Sequence, residues 1–211
     1  MKLTVFGATG GTGSSVVRQA LDLGHTVTAV VRDPARLALP SSPGLHVVTA
    51  GLDDPGDLAP ALDGTDAVIS AVGAGHRGPT SVCADTIQVI MAAMRKQEVR
   101  RLVAVSAAGA HTTGDGLLVR VLVKPILQRA LRHPFADTLV MEDRIRRSDL
   151  DWTIVLPPRL TNGRRTGAVR SRIDAGVRGA FSVSRADLAD FLIRTVDDQA
   201  LVRHAVSVAH A

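Results

Sequence analysis

A glycine-rich loop near the amino terminus carries the clearest chemical signal in the chain. The loop Gly7-Ala8-Thr9-Gly10-Gly11-Thr12-Gly13 follows an apolar run, Lys2–Phe6, and leads into a stretch with helical character, Gly13–Leu23. In this setting the first glycine permits a tight turn, the second lets a ligand approach the backbone, and the third lets the helix pack closely. The amide N–H groups of the first helical turn then face an anion, and the helix dipole adds to the attraction. The loop therefore predicts a site for the pyrophosphate of a dinucleotide, with Thr9 and Thr12 as further hydroxyl donors.

The end of the second apolar run indicates which dinucleotide fits. Thr26–Val31 is followed by Arg32-Asp33-Pro34-Ala35-Arg36. An acidic residue at this point binds the ribose 2′-hydroxyl of NAD, whereas an arginine accommodates the 2′-phosphate of NADP. Arg32 and Arg36 together form a pair of guanidinium groups suited to a phosphate dianion. Asp33 is the competing NAD-type acid, but it fits better as the cap of a helix that begins at Pro34. We therefore expect NADP(H).

Short β-branched runs alternate with helical stretches along the whole chain, which predicts parallel strands joined by right-handed crossovers. The predicted strands are Lys2–Phe6, Thr26–Val31, Leu45–Thr49, Ala67–Ala71, Arg101–Ser106, Trp152–Leu156 and Ala205–Val208, with a late segment at Ala180–Val183. The predicted helices are Gly13–Leu23, Gly56–Leu62, Ser81–Lys96, Leu117–Leu131, Asp137–Ser148 and Arg185–Val196. We therefore expect an α/β protein with a doubly wound parallel sheet, the Rossmann fold, in strand order 3-2-1-4-5-6-7 with helices on both faces.

The same pattern bounds the domain organisation. The 211 residues fit a single domain, 1–211, and the Pro-, Gly- and Arg-rich segment at about 157–180 is predicted to form a small lobe on the substrate side. Ligands of such sheets lie beyond the carboxyl ends of the strands, at the switch between the first and fourth strands. The fourth strand is followed by the small residues Val72 and Gly73, and the fifth ends at Ser106. The Ser106 hydroxyl is either a catalytic helper or a simple strand-end cap.

Composition argues against several other classes of function. The net charge of +5 comes from arginines that are not interleaved with aromatic residues, so nucleic-acid binding is not expected. The seven histidines and the single cysteine, Cys83, show no metal-ligand spacing, so no metal site is predicted. No apolar run has the roughly 18 residues of a membrane span, and the chain begins without a leader pattern. With no second cysteine for a disulfide, we expect a cytoplasmic protein.

The glycine loop is similar to that of the extended and atypical short-chain dehydrogenase/reductases, which include NmrA-like proteins. The resemblance extends along the chain through Ser148–Leu160, Thr166–Ala168 and Ser182–Ala189. Within this family the chain most resembles the subgroup of biliverdin reductase B, or flavin reductase. The shared features are the glycine loop, the arginine at the tip of the second strand and the double proline Pro157-Pro158.

The resemblance implies the residues of the site. The residues that it implies for cofactor binding are Gly7, Thr9, Gly10, Thr12, Gly13, Arg32, Asp53, Val72, Gly73, Ser106 and Pro157. We add Gly11 of the same loop and the second arginine, Arg36. Asp53 resembles the family's adenine-side aspartate, with a helix cap before Gly56 as its alternative role. The substrate is expected near His111, Phe135 and Arg159. The chain departs from the subgroup at Ser106-Ala107, where the subgroup has Thr-Ser, at Arg159, where it has histidine, and in Leu117–His133.

The chain contains no tyrosine, which excludes the Tyr-Lys acid/base mechanism of the classical family members. The favoured hypothesis is an NADPH-dependent reductase that transfers hydride to a planar acceptor such as a flavin, a quinone or a linear tetrapyrrole. Such a reaction requires mainly that two planar groups be held in contact and that water be excluded, with the proton drawn from solvent. The second hypothesis is a non-catalytic NADP(H) sensor with a regulatory protein partner. An enzyme acting on a sugar nucleotide or another hydroxyl substrate is the least favoured.

Overall fold

The computed structural model of the chain describes residues 1–111, 131–177, 179 and 181–211. Of the predicted helix Leu117–Leu131 only Leu131 lies within the described residues. The remaining elements occur in the predicted order along the chain.

The central sheet confirms the predicted fold class. Its strands are β1 (Lys2–Phe6), β2 (Thr26–Val31), β3 (Leu45–Thr49), β4 (Ala67–Ser70), β5 (Arg101–Val105), β6 (Asp151–Leu156), β8 (Val169–Ile173) and β10 (His204–His210). These eight strands lie in the order β3-β2-β1-β4-β5-β6-β10-β8, so the predicted order 3-2-1-4-5-6-7 holds with β10 as the seventh strand. The pairs from β3 to β10 are all parallel.

Three strands were not predicted in full, and all lie in or beside the segment expected to be irregular. β8 pairs antiparallel with β10 at the sheet edge, and four of its five residues are exposed, so it shows no apolar run. β7 (Arg159–Thr161) pairs parallel with β9 (Ser182–Ser184) in a separate two-stranded sheet. Residues 157–180 therefore combine an edge strand of the main sheet with one strand of a small second sheet.

Helices cover both faces of the sheet. They are α1 (Gly11–Asp22), α2 (Ala59–Leu62), α3 (Val82–Lys96), α4 (Arg132–Arg146) and α5 (Arg185–Asp197). α4 begins five residues before the predicted start at Asp137, because Pro134 lies in its first turn, where a missing N–H costs nothing. The predicted helix Gly56–Leu62 is a 3₁₀ turn, Pro55–Leu58, followed by α2. None of the described helices has the length and apolar character needed to span a bilayer.

Two apolar cores hold these layers together. One core joins the sheet to α1 and α5 through residues that include Val16, Val17, Leu188 and Leu192. The other joins the opposite face to α2, α3 and α4 through residues that include Leu62, Ile87, Ile90, Met141 and Ile145. All of these side chains are at most 2% exposed, so the inner strands of the sheet are buried on both faces, as their apolar character requires, whereas three of the five residues of the edge strand β3 are exposed.

A buried carboxylate fixes α4 against α3. Asp137 of α4 is 4% exposed and accepts hydrogen bonds from the amide N–H groups of Cys83 (2.9 Å) and Ala84 (2.8 Å), which open α3. These are N–H groups that a helix leaves without intrahelical partners. Burial and the nearby Asp137 carboxylate raise the pKa of the Cys83 thiol to about 12, so it stays protonated as a small core residue.

Candidate functional site

The carboxyl ends of six neighbouring strands bring the predicted cofactor residues to one edge of the sheet. In the order β3, β2, β1, β4, β5 and β6, the residues that follow the strands along this edge are Asp53, Arg32, Gly7, Val72 with Gly73, Ser106 and Pro157. These positions are distant in the sequence, and the parallel sheet aligns them in a row on both sides of the switch between β1 and β4. A dinucleotide lying along this row would place its adenine end beyond β2 and β3 and its nicotinamide end beyond β4 and β5.

Two glycines of the loop leave no room for a side chain. Gly7 has φ +76°, and a Cβ placed there would lie 2.6 Å from the Ala71 carbonyl oxygen. A Cβ at Gly13 would lie 2.2 Å from the Gly7 carbonyl oxygen. The loop is therefore closed tightly between the end of β4 and the first turn of α1, and it depends on glycine at both positions.

The mouth of α1 is open to an anion. Gly10 caps the helix with an extended backbone (φ −81°, ψ 159°) and supplies no side-chain cap. Within the part of the chain that the structure describes, the amide N–H groups of Gly11, Thr12 and Gly13 have no hydrogen-bond acceptor. Gly10 and Gly11 are exposed, so a ligand can reach this backbone. Bare N–H donors at a helix start whose cap residue has no side chain fit a dinucleotide diphosphate.

Beyond β2 the aspartate caps the next turn, whereas the two arginines are accessible to a ligand. Asp33 accepts a hydrogen bond from the Ala35 amide (3.0 Å) and caps a 3₁₀ turn, Pro34–Arg36. Arg32 and Arg36 are both exposed at this tip. The cap proposed as an alternative for Asp53 is wrong, because Asp54 is the residue that caps the next turn, accepting from the Gly56 amide at 2.7 Å. Asp53 is exposed at the same edge.

Sequence reasoning missed the residue that connects Ser106 to His111. Glu142 of α4 is 2% exposed and accepts hydrogen bonds from the Ser106 hydroxyl and, at 2.8 Å, from His111 Nε2. Its second oxygen accepts from Arg146 at 3.1 Å, and the Arg146 guanidinium lies 5.6 Å from the centre of the Trp152 ring. In the sequence Glu142 and Arg146 look like an ordinary surface pair four residues apart, and nothing in that spacing signals burial.

The environment of Glu142 keeps its carboxylate ionised. Burial by itself raises the pKa of Glu142, but the hydrogen bonds from His111 and Ser106, the charge of His111 and the bond from Arg146 outweigh it and hold the pKa below the ordinary value of 4.5. The Ser106 hydroxyl, which follows β5 rather than ending it, is therefore held by an anion. A catalytic role for it stays a prediction.

Of the residues expected near the substrate, His111 and Phe135 lie at the segment 106–111, whereas Arg159 lies at the start of β7. The Phe135 ring packs against Gly109, where a Cβ would lie 2.8 Å from the ring. The Ala108 amide donates to the Pro157 carbonyl oxygen at 2.9 Å, which fixes the end of β6 against the same loop. Phe135 therefore contacts the same short segment, 106–111, that ends at His111. Arg159, exposed at the start of β7, takes no part in these contacts among the described residues.

Replacing Glu142 by glutamine is expected to lower the free energy of unfolding by about 2 kcal/mol at pH 7, because charge-assisted hydrogen bonds become neutral. Since the folded-state pKa of Glu142 is lowered, its stabilising effect is complete above the ordinary value of 4.5 and is lost as the pH falls through the folded-state pKa. Urea denaturation should show a difference in the free energy of unfolding between wild-type protein and Glu142→Gln, and this difference should become smaller as the pH is lowered. Asp143→Asn, at an exposed neighbour on the same helix, is the control and should change stability by less than about 0.5 kcal/mol. Equal effects of the two changes on the free energy of unfolding would show that Glu142 contributes no more to stability than an exposed carboxylate.

Comparison with known proteins decides the family. The sequence model of the NAD(P)H-binding family matches residues 7–199. The chain belongs to this family. The match begins in the glycine loop and extends through nearly all of the elements described above, which confirms the resemblance inferred from the sequence.

Individual relatives share parts of the chain or its fold. The photosystem II assembly factor Ycf39 of Synechocystis sp. is 42% identical over 71 residues, which are 34% of this chain and 22% of that protein. The oxidoreductase YlbE from Lactococcus lactis has a similar structure, with TM-score 0.83 and 22% identity over 100% of this chain and 91% of that one. A Streptococcus pneumoniae protein named as an NADH-flavin reductase candidate has TM-score 0.79 and 24% identity over 100% of both chains. The two structures share the fold of this chain.

Proposed function

We propose that this member of the NAD(P)H-binding family is an NADPH-dependent reductase of a planar acceptor such as a flavin or a quinone. The observation that carries the proposal is the row of residues along the carboxyl edge, which begins at two exposed arginines and ends at a serine, glutamate and histidine network in a chain without tyrosine. Arg32 and Arg36 suit a 2′-phosphate, and the open first turn of α1 suits the diphosphate. The names of the L. lactis and S. pneumoniae proteins agree with reductase chemistry.

The network suits a supporting role at the acceptor. When bound, the cofactor supplies the hydride, and the protein has to orient the two planar groups and keep water out. Glu142 holds Ser106 and His111 in place, and of these three only the His111 side chain, 27% exposed, is accessible to an acceptor. We assign His111 to acceptor binding, together with Phe135, and Ser106 to the edge of the nicotinamide site.

Purified protein should oxidise NADPH in the presence of at least one member of a panel of riboflavin, FMN and simple quinones, with NADH a poorer donor. His111→Asn should lower kcat/KM for the acceptor about tenfold, equivalent to one lost hydrogen bond, and leave NADPH affinity unchanged. His46→Asn is the control, because His46 is exposed on β3 away from this network. The measurements are NADPH oxidation followed by absorbance and NADPH binding followed by calorimetry.

A non-catalytic role is the second candidate, and one observation favours it. The Ser106 hydroxyl donates to Glu142, so its proton is already engaged and is not free for an acceptor. The name of the Synechocystis relative describes an assembly factor, which is a protein-binding role. Tight binding of NADP+ and NADPH with similar affinities, combined with no turnover across the whole panel, would contradict the reductase and support a cofactor-sensing protein.

A further inference from the structure

A cleft on the outer side of α1 has a chemistry that the cofactor row does not explain. Its volume is about 480 Å³, and it lies between α1, the segment 162–165 and the start of α5. Its lining includes four arginines, Arg18, Arg164, Arg165 and Arg185, and one carboxylate, Asp22, so it has an excess of positive charge. We call this the arginine cleft.

Arg185 occupies an unfavourable position for a cation. It is the first residue of α5, and its side chain lies across Gly11, the first residue of α1, so that a Cβ at Gly11 would be 2.7 Å from the Arg185 Cδ. The amino-terminal ends of both helices carry partial positive charge. Among the described residues the guanidinium bonds only the neutral Asn162 Oδ1, at 2.6 Å. An anion bound here would relieve the repulsion.

The other arginines of the cleft are only partly neutralised. Arg165 lies 3.5 Å from Asp190, a carboxylate that it shares with Arg194. Within the described part of the chain, neither Arg18 nor Arg164 has a carboxylate within 4.0 Å. The buried Gln19, 8% exposed, also lines the cleft, and no described residue donates a hydrogen bond to its Oε1. Among the described residues none of the four guanidinium groups of the cleft has a carboxylate of its own. Together with the unused Gln19 acceptor they suit a phosphate ester that also carries a hydroxyl group.

We propose that the arginine cleft is a phosphate-binding site, in which Arg185, Arg18 and Arg164 hold the phosphate group. The phosphate has two candidate sources, which are the diphosphate of the cofactor itself, because Gly11 belongs to both sites, and a second phosphorylated ligand. The site stands on the charges and geometry of the cleft and does not depend on the proposed reductase activity.

Calorimetry with inorganic pyrophosphate tests this, with one arm using the protein alone and the other using protein saturated with NADP+. Pyrophosphate should bind saturably to the protein alone, and the double change Arg18→Gln and Arg164→Gln should weaken it at least tenfold. If pyrophosphate still binds to protein saturated with NADP+, the cleft binds a phosphorylated ligand other than the cofactor. Binding that NADP+ abolishes, together with at least a tenfold loss of NADP+ affinity in Arg185→Gln, identifies the cofactor as the source.

A matched control separates the cleft from general surface charge. Arg170→Gln with Arg172→Gln removes two positive charges from the exposed edge strand β8 and should change pyrophosphate binding less than twofold. The proposal would be overturned if wild-type protein showed no saturable binding of pyrophosphate. It would also be overturned if the control pair weakened binding as much as the cleft pair. If NADP+ fails to bind at all, the first arm still tests the cleft, so failure of the cofactor site is seen separately.

Discussion

Gly13→Ala should lower the affinity for NADP(H) at least a hundredfold. The added methyl group would lie 2.2 Å from the Gly7 carbonyl oxygen, a separation that no side chain tolerates, so the loop between β1 and α1 must open. Opening it turns the amide N–H groups of the first helical turn away from the diphosphate, and misplaced donors lose most of their value. Overpacking of this kind also costs about 1–3 kcal/mol of stability. Calorimetric titration with NADP+ and urea denaturation measure the two effects separately.

Two further variants keep this prediction decisive if Gly13→Ala folds poorly. Gly10→Ala places its methyl group 3.3 Å from the Gly7 carbonyl oxygen at an exposed position, so it should fold normally and weaken NADP+ at least tenfold by obstructing the backbone. Gly44→Ala is the matched control, because its methyl group would lie 3.2 Å from a Leu21 side-chain carbon beside the start of β3. It should cost about 1 kcal/mol of stability and leave binding unchanged. Wild-type affinity in both loop variants would place the diphosphate elsewhere.

Arg32→Asp should reduce NADPH affinity roughly a hundredfold while NADH affinity changes little or rises. A charge-assisted hydrogen bond to the 2′-phosphate is worth about 1.5–3 kcal/mol, and the substitution replaces this attraction with repulsion. The new carboxylate can instead accept from the 2′-hydroxyl of NADH. Asp33 does not compete for this role, because its carboxylate caps the following turn. Equilibrium titrations with both cofactors give the ratio directly.

The control for Arg32→Asp is Lys96→Asp, which makes the same change in charge at the carboxyl end of α3. It should leave both affinities within about twofold, because an exposed charge more than a Debye length of about 8 Å away is largely screened at physiological salt. Equal losses of NADPH and NADH affinity in Arg32→Asp would mean that this side chain does not select the 2′-phosphate.

The inner strands of the central sheet were predictable because they are buried on both faces. Continuous apolar runs such as Thr26–Val31 have no other stable location in a chain of this size, and the helices between them impose parallel pairing. β8 was not predictable by the same logic, because its sequence Val-Arg-Ser-Arg-Ile is mostly exposed at the sheet edge. The early start of α4 was concealed by Pro134, because proline interrupts a helix everywhere except in its first turn.

In the candidate site, too, the features formed by neighbouring residues could be predicted, and the contacts between distant residues could not. The glycine loop and the Asp33 cap are local patterns, and their geometry follows from neighbouring residues. The link from Ser106 through Glu142 to His111 joins residues up to 36 positions apart, and it exists only because α4 packs over the end of β5. Periodicity places Glu142 on a helix but cannot show that three donors converge on it there.

The first turn of α1 is the proposed binding site for the diphosphate of a nicotinamide dinucleotide. Titrating isotopically labelled protein with NADP+ and following the amide resonances of Gly11, Thr12 and Gly13 tests it most directly. We predict that these three resonances move together and saturate with the calorimetric affinity, because their N–H groups acquire an acceptor. No binding, or saturable shifts elsewhere while these three amides stay unchanged, would contradict the account.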